Sequence, residues 1–322
     1  MISFYNYLKS TTVQSAELSF TLFRIMVPII IVIKILEELG LIIIFSEILS
    51  PLMELIGLPG AMGLVWATAM LTNLYGGLVV FASLIVDYPL TVAQVTVISS
   101  MMLIAHALPV EARIAQKAGI RIVFTLSFRF IMAVGFAWIL NEIYQLTDSL
   151  QQPLQLLWSP EVNNPSLWSW VYNQILGLLI IFGIVWALVF TLDVLKKIHV
   201  IGFISRLLRP LMHRLGIAKE AETITLAGLT LGLSYGGALL IKEVEQGHIP
   251  PRDVLYSISL LGLTHSLIED TLLMMLIGGH LSGILFARVL FSFIVIGFFV
   301  YLVRRLELST IRRFFIHHEI SA

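Results

Sequence analysis

The 322-residue sequence contains no cysteine. Disulfides and thiolate metal sites are therefore excluded. Charge is scarce as well: Asp, Glu, Lys and Arg together supply 12% of the residues, against about 25% in soluble domains. Apolar residues supply 58% and the mean hydropathy is +0.95. Leu55 to Val86 and Val162 to Leu192 hold no Asp, Glu, Lys or Arg, and each is longer than the roughly 20 residues that a membrane-crossing helix needs. An all-α integral membrane protein with several crossings is expected. No stretch is polar enough to fold alone, since the longest interruption, roughly Asn141 to Ser166, is too short for a domain. The first apolar run starts near Phe20 after a polar opening, and no small-residue cleavage site follows it. It reads as a retained span. The formal net charge is zero, so charge points to no partner, and nucleic acid is not expected.

What is present is a repeat. Pro51-Leu52-Met53 recurs as Pro210-Leu211-Met212, Gly57 as Gly216, His106 as His265, Glu111 as Asp270 and Arg129 as Arg288, all displaced by 159 positions (265 − 106). Tyr75-Gly76-Gly77 recurs as Tyr235-Gly236-Gly237, one residue out of that register. The chain divides into an N-terminal segment (1–19), a first repeat (20–145), a loop (146–167), a second repeat (168–308) and a tail (309–322).

Each repeat predicts the same pieces. A first span, Phe20 to about Leu36 or about Trp170 to Leu192, leads to an amphipathic segment around Pro51 or Pro210 that suits the membrane interface. The Tyr-Gly-Gly segment follows, about Ala61 to Val86 or Glu222 to Val244. With its break near the centre, each arm of about 12 residues reaches about 18 Å, half-way through a bilayer core of about 30 Å. Charge asymmetry decides how the segment runs. No Lys or Arg occurs between Lys34 and Arg113, whereas Arg113, Lys117 and Arg121 share one short connection. That connection belongs on the cytoplasmic side, as does the cluster from Lys196 to Lys219. Asn141 to Ser166 has acids but no Lys or Arg and belongs outside. Lys219 and Arg252 flank the second Tyr-Gly-Gly segment, so it enters and leaves on one side as a re-entrant hairpin. Each repeat then makes three crossings, and an odd number inverts the second repeat relative to the first. Both termini are expected in the cytoplasm.

Inverted repeats with interrupted helices are a transporter architecture. A hairpin tip at membrane depth must free backbone groups, which is tolerated where protein or a water-filled cavity satisfies them. Glycine permits a tight turn and the close approach of a ligand; the plainer reading is that Gly-Gly lets two helices pack closely. Asn73, Tyr75, Gly76 and Gly77, with Ser234, Tyr235, Gly236 and Gly237, become the candidate polar ends of a solute site. The next crossing carries His106-Ala107-Leu108-Pro109-Val110-Glu111, and its counterpart carries His265-Ser266-Leu267-Ile268-Glu269-Asp270. Pro109 disfavours helix at Leu108 and predicts a break there. In the second copy, which has no proline, the break is inferred from the repeat. Acids just past a break sit at the positive end of a new half-helix. Ionisable residues within a span line pathways more often than not, so His106, Glu111, His265, Ser266, Glu269 and Asp270 complete the candidate set. Arg129 and Arg288 each follow an acid by 18 residues (129 − 111, 288 − 270). They either brace each repeat through an ion pair or bind an anionic solute.

The paired motifs, YGG with H-A-L-P-V-E and YGG with H-S-L-I-E-D, resemble the nucleoside-recognition, or Gate, domain family of membrane proteins. That family includes pairs of sporulation membrane proteins and the permease core of bacterial ferrous-iron transporters, and its architecture is similar to that of concentrative nucleoside transporters. The resemblance covers most of both repeats and implies a multi-pass protein of the bacterial cytoplasmic membrane, working as a homo-oligomer or beside a second family member. The sequence departs from the ferrous transporters in having no GTPase domain and no cysteine, and from nucleoside transporters in lacking their extra scaffold helices. The function expected is secondary transport or export of a small polar solute, nucleoside-like or anionic, by alternating access. A divalent metal-ion permease and a non-transporting membrane partner or sensor are the alternatives. No nucleophile arrangement suggests an enzyme, and no cofactor is expected beyond a coupling H+ or Na+, histidine being the side chain that titrates near neutrality.

The absence of native cysteine makes the topology directly testable. A single cysteine placed at Gln152 should react with an impermeant thiol reagent on intact cells, and one at Ser309 only after lysis. Labelling of both from the same side removes the odd crossing number.

Overall fold

The computed structural model describes residues 4–155 and 166–316, apart from the side chains of residues 4–8, 196, 231, 234 and 235. The first half runs α1 (Phe4–Glu38), α2 (Leu41–Leu55), α3 (Met62–Leu71), α4 (Leu74–Leu84), α5 (Val92–Ile104), α6 (Leu108–Lys117) and α7 (Ile122–Leu146). In the second half the order repeats as α8 (Leu167–Lys197), α9 (Val200–Leu215), α10 (Lys219–Leu231), α11 (Leu233–Glu245), α12 (Pro251–Thr264) and α13 (Glu269–Leu276). A π-helix (Ser282–Ala287) then continues into α14 (Arg288–Val303), and α15 (Leu308–Phe314) ends the described chain. Among the described residues the only extended pairings are two isolated bridges.

Among the described residues, six helical stretches are long and apolar enough to cross a membrane: Lys9–Glu38, Val92–Lys117, Ile122–Leu146, Leu167–Leu195, Pro251–Leu276 and Ser282–Val303. The chain is an all-α integral membrane protein. Large apolar side chains face outward on its helices, and most of its buried polar side chains lie among an apolar core. On α14 and the π-helix before it, Phe286, Leu290, Ile294 and Phe298 are exposed at four-residue spacing, while Arg288 and Ser292 are buried with Ile296 and Val300. Such an exposed apolar stripe suits lipid. The first helix starts earlier than its hydropathy indicates, at Phe4 rather than near Phe20, because Thr11, Ser15 and Ser19 form a buried small-residue face in line with Leu22 and Met26. That face lets α1 pack on α8, where Trp186 Nε1 donates to Thr12 Oγ1 at 3.1 Å. Small residues permit such close helix approach.

The last spans of the two halves lie against each other. Phe124 stacks on Phe299 with centroids 5.6 Å apart, Phe136 on Phe291 at 4.7 Å, and Tyr144 Oη lies 2.7 Å from Ser282 Oγ. Residue numbers rise along α7 as they fall along its partner, so these equivalent helices run in opposite directions.

Both Tyr-Gly-Gly segments fold back on themselves, since α3 packs on α4 and α10 on α11. Their turns fall before the glycine pairs rather than at them. In the first, Thr72 and Asn73 leave the helix, and Asn73 Oδ1 accepts from Gly76 N at 2.9 Å. Asparagine thereby supplies the N-cap. In the second, Gly232 turns the chain at φ 99°, a conformation that favours glycine. The glycine pairs serve packing instead. A Cβ on Gly77 would sit 2.8 Å from the Cβ of Ala69, and one on Gly236 would strike the Gly228 backbone, with Gly228 N at 2.8 Å.

Gly236→Ala should consequently destabilise the protein in detergent by about 1–3 kcal/mol, the usual cost of overpacking. Gly183→Ala, at a helical position with nothing near a new Cβ, should be neutral or stabilising by up to about 1 kcal/mol. Thermal unfolding of the two variants side by side checks both signs.

Candidate functional site

The chemistry gathers where the two long interrupted spans break. Helix α5 stops at Ile104 and α6 begins at Leu108, with Ala107 left-handed at φ 47°. Without a proline, α12 stops at Thr264 and α13 begins at Glu269, and Ser266, the counterpart of Ala107, is left-handed at φ 52°. The break inferred from the repeat is therefore present. Its freed backbone groups find partners within the protein, as a bilayer-embedded chain requires. Ala107 N donates to Ala69 O at 2.9 Å and Leu267 N to Leu229 O at 2.8 Å, which ties each break to the first arm of its own hairpin. Trp66 Nε1 donates to Ala105 O at 3.2 Å, and Arg129 Nε to Ile104 O at 2.8 Å.

The histidines of the two breaks meet. His106 Nδ1 lies 2.9 Å from Met102 O, and His265 Nδ1 lies 2.8 Å from Leu261 O. A carbonyl oxygen only accepts, so each Nδ1 carries the proton, and a neutral ring then has a bare lone pair at Nε2. The two Nε2 atoms face each other at 3.2 Å. Glu111 Oε1 is 3.4 Å from the first and 3.3 Å from the second, and Asp270 Oδ2 is 4.0 Å from both. Four groups that can each offer an electron pair converge there. All four side chains are buried.

The arginines behave differently in the two halves. Arg129 pairs with Glu111 through Nη1 and Oε2, which leaves Oε1 free to face the histidines. Arg288 is fully buried, and among the described residues none of its three side-chain nitrogens has a hydrogen-bond partner. The expected Asp270–Arg288 hydrogen-bonded pair is not formed, and Asp270 Oδ2 is likewise without a hydrogen bond among the described residues. The reason is local: Arg288 directly follows the π-helix, whereas Arg129 sits in regular α-helix. A π-turn shifts the residues beyond it around the helix axis.

The other sequence candidates lie in the two hairpins, at the second break and at the start of α13. Asn73 caps α4, and Gly76 leaves room for Thr72 and Ile29. Gly77 accommodates Met102, and Gly237 accommodates Ile114 of α6. Tyr75 is half-buried, packed against the α1 cluster around Leu22 and Met26. Ser266 lies beside the Gly232 turn, its Oγ 3.0 Å from where a Cβ would stand, and Glu269, partly exposed, opens α13. The side chains of Ser234 and Tyr235 lie outside the described residues. The sequence reading missed a set of buried hydroxyls with no hydrogen-bond partner: Ser99 and Ser100 on α5, Ser259 and Thr264 on α12, and Thr271 on α13. Ser100 and Ser259 stand at the repeat offset (259 − 100), the signal that would have found them. A surface depression lined by Val92, Gln152, Leu154 and Gly278 holds none of these residues.

Fold and site together define a polytopic helical membrane protein with a buried polar centre where its two halves meet. Over 278 residues the chain is 27% identical to the uncharacterized membrane protein YvoD of Bacillus subtilis, covering 85% of this chain and 87% of that protein. No family model matches the sequence. No solved structure matches it either.

The unequal arginines yield a paired expectation. Arg129→Met leaves Glu111 buried without its partner and should cost about 3–5 kcal/mol, seen as a large drop in melting temperature in detergent. Arg288→Met removes a buried charge that has no partner in hydrogen bonding and should leave the melting temperature unchanged or raised.

Proposed function

We propose that the protein is a secondary transporter of the bacterial cytoplasmic membrane that moves a small polar solute by alternating access, with a cation at its centre. The observation carrying this reading is the close meeting of buried His106, His265 and Glu111, with Nε2, Nε2 and Oε1 within 3.2–3.4 Å of one another, at two helix breaks, one from each half. Such a cluster is stable only with a proton or a cation in it. Support for alternating access comes from the antiparallel run of the last spans and from unequal packing of equivalent pieces, since α6 packs on α11 while its counterpart α13 packs on α8. In an inverted-repeat transporter, such inequality distinguishes an open side from a closed one. The resemblance to the Gate family agrees with this reading.

The test is flux. Proteoliposomes loaded with a pH-sensitive dye are challenged with uridine, adenosine, a small dicarboxylate, Zn2+ and Mn2+ under an imposed membrane potential. Uptake of at least one, or a coupled proton movement, should exceed that of empty liposomes and fall to their level in His106→Ala. If every class passes at the same rate with wild-type protein, with His106→Ala and with no protein, the transport reading is lost in favour of a non-transporting membrane partner.

A further inference from the structure

We propose that His106, His265, Glu111 and Asp270 form a four-coordinate site for a divalent transition-metal ion of the zinc class. As the identity of the central cation this rests on the transport reading above; as a binding site it stands on geometry alone. A tetrahedral ion with bonds of about 2.0–2.1 Å to nitrogen and oxygen holds its ligand atoms about 3.3 Å apart. The triangle of His106 Nε2, His265 Nε2 and Glu111 Oε1 has edges of 3.2, 3.3 and 3.4 Å. Asp270 Oδ2, 4.0 Å from each histidine nitrogen, approaches as the fourth ligand. Among the described residues it has no hydrogen bond to give up.

The surroundings supply what a metal site needs beyond its ligands. Each imidazole is oriented by an Nδ1–H bond to a backbone carbonyl, of Met102 or Leu261, the usual way a ligating histidine is fixed in its tautomer. Arg129 grips Oε2 of Glu111 and aims Oε1 inward. Both histidines stand at the ends of buried helices and not on surface loops. The donor set selects the class of ion. Two imidazoles are unsuited to Ca2+ and Mg2+, which take all-oxygen shells, and the absence of cysteine removes the soft thiolates that favour Cu+. Mixed imidazole and carboxylate ligands suit Zn2+, with Co2+ as its spectroscopic substitute.

The experiment uses the full-length protein in detergent, stripped of metal and titrated with Co2+. Intense visible bands of four-coordinate Co2+ should saturate at one ion per chain and vanish on addition of Zn2+. X-ray absorption of the Zn2+-loaded protein should show two imidazoles at about 2.0 Å, a measurement that needs no variant. His265→Gln should abolish the bands, and Asp270→Asn should weaken binding without disturbing the melting temperature. Weak six-coordinate bands, a shell without imidazole, or full binding by a folded His106→Gln, His265→Gln double variant would each overturn the site, and failure to bind Co2+ or Zn2+ leaves the cluster holding a proton only. Binding and flux fail separately: tight metal binding without flux of any solute preserves the site and removes transport, while flux of another solute without metal binding does the reverse.

Discussion

A helix that stops inside a bilayer leaves carbonyl and amide groups that water cannot reach, and the centre of this protein is arranged around that constraint. At the first break, Ala107 N is answered by the hairpin and Ala105 O by Trp66. Ile104 O is taken by Arg129 and Met102 O by His106. The residues that repair the backbone are thus largely those that carry the chemistry. His106 satisfies a carbonyl with one ring nitrogen and presents the other to its counterpart. Arg129 satisfies a carbonyl with Nε and holds Glu111 with Nη1. Lysine could not do both, since only a guanidinium has several donors in a fixed fork. Structure and site cannot be separated by mutation at these positions without a second readout.

Much of this was legible in the sequence. The fixed displacement between copies placed the second break at His265 without a proline to mark it, and the eighteen-residue separation of acid and arginine anticipated the Glu111–Arg129 pair. Sequence reasoning failed where three-dimensional detail overrides local pattern. The Tyr-Gly-Gly motif suggested the hairpin tip, yet Asn73 and Gly232 make the turns, because a side-chain cap or a left-handed glycine suffices for that purpose. The flexible pair was needed one turn later, where two arms come into contact. Hydropathy likewise placed the start of α1 too late, since buried Thr11, Ser15 and Ser19 read as polar sequence but act as a packing face. The π-helix before Arg288 has no counterpart in the first copy and left no mark in the pattern that the two copies share.

The halves therefore agree in elements and disagree in contacts. In one, the arginine is ion-paired and the helix before it regular; in the other, the arginine lies beyond a π-turn with no hydrogen bond among the described residues. A buried guanidinium without hydrogen bonds is costly, and π-turns are frequent at functional sites. The strain is thus concentrated in the second half, on the side of the centre occupied by Asp270.

His106 touches the residue that corresponds to itself, which is the kind of contact a twofold axis produces. In a pair of identical separate chains such an interface is isologous, and whatever one subunit offers the other must offer too. Joining both copies in one polypeptide lifts that obligation. The histidines have stayed alike, but the acids have diverged. Glu111 is longer by one methylene and held by Arg129, whereas Asp270 is shorter and its Oδ2 has no hydrogen bond among the described residues. The two halves thus bring unequal carboxylates to one centre, a distinction that no symmetric dimer of a single half could encode.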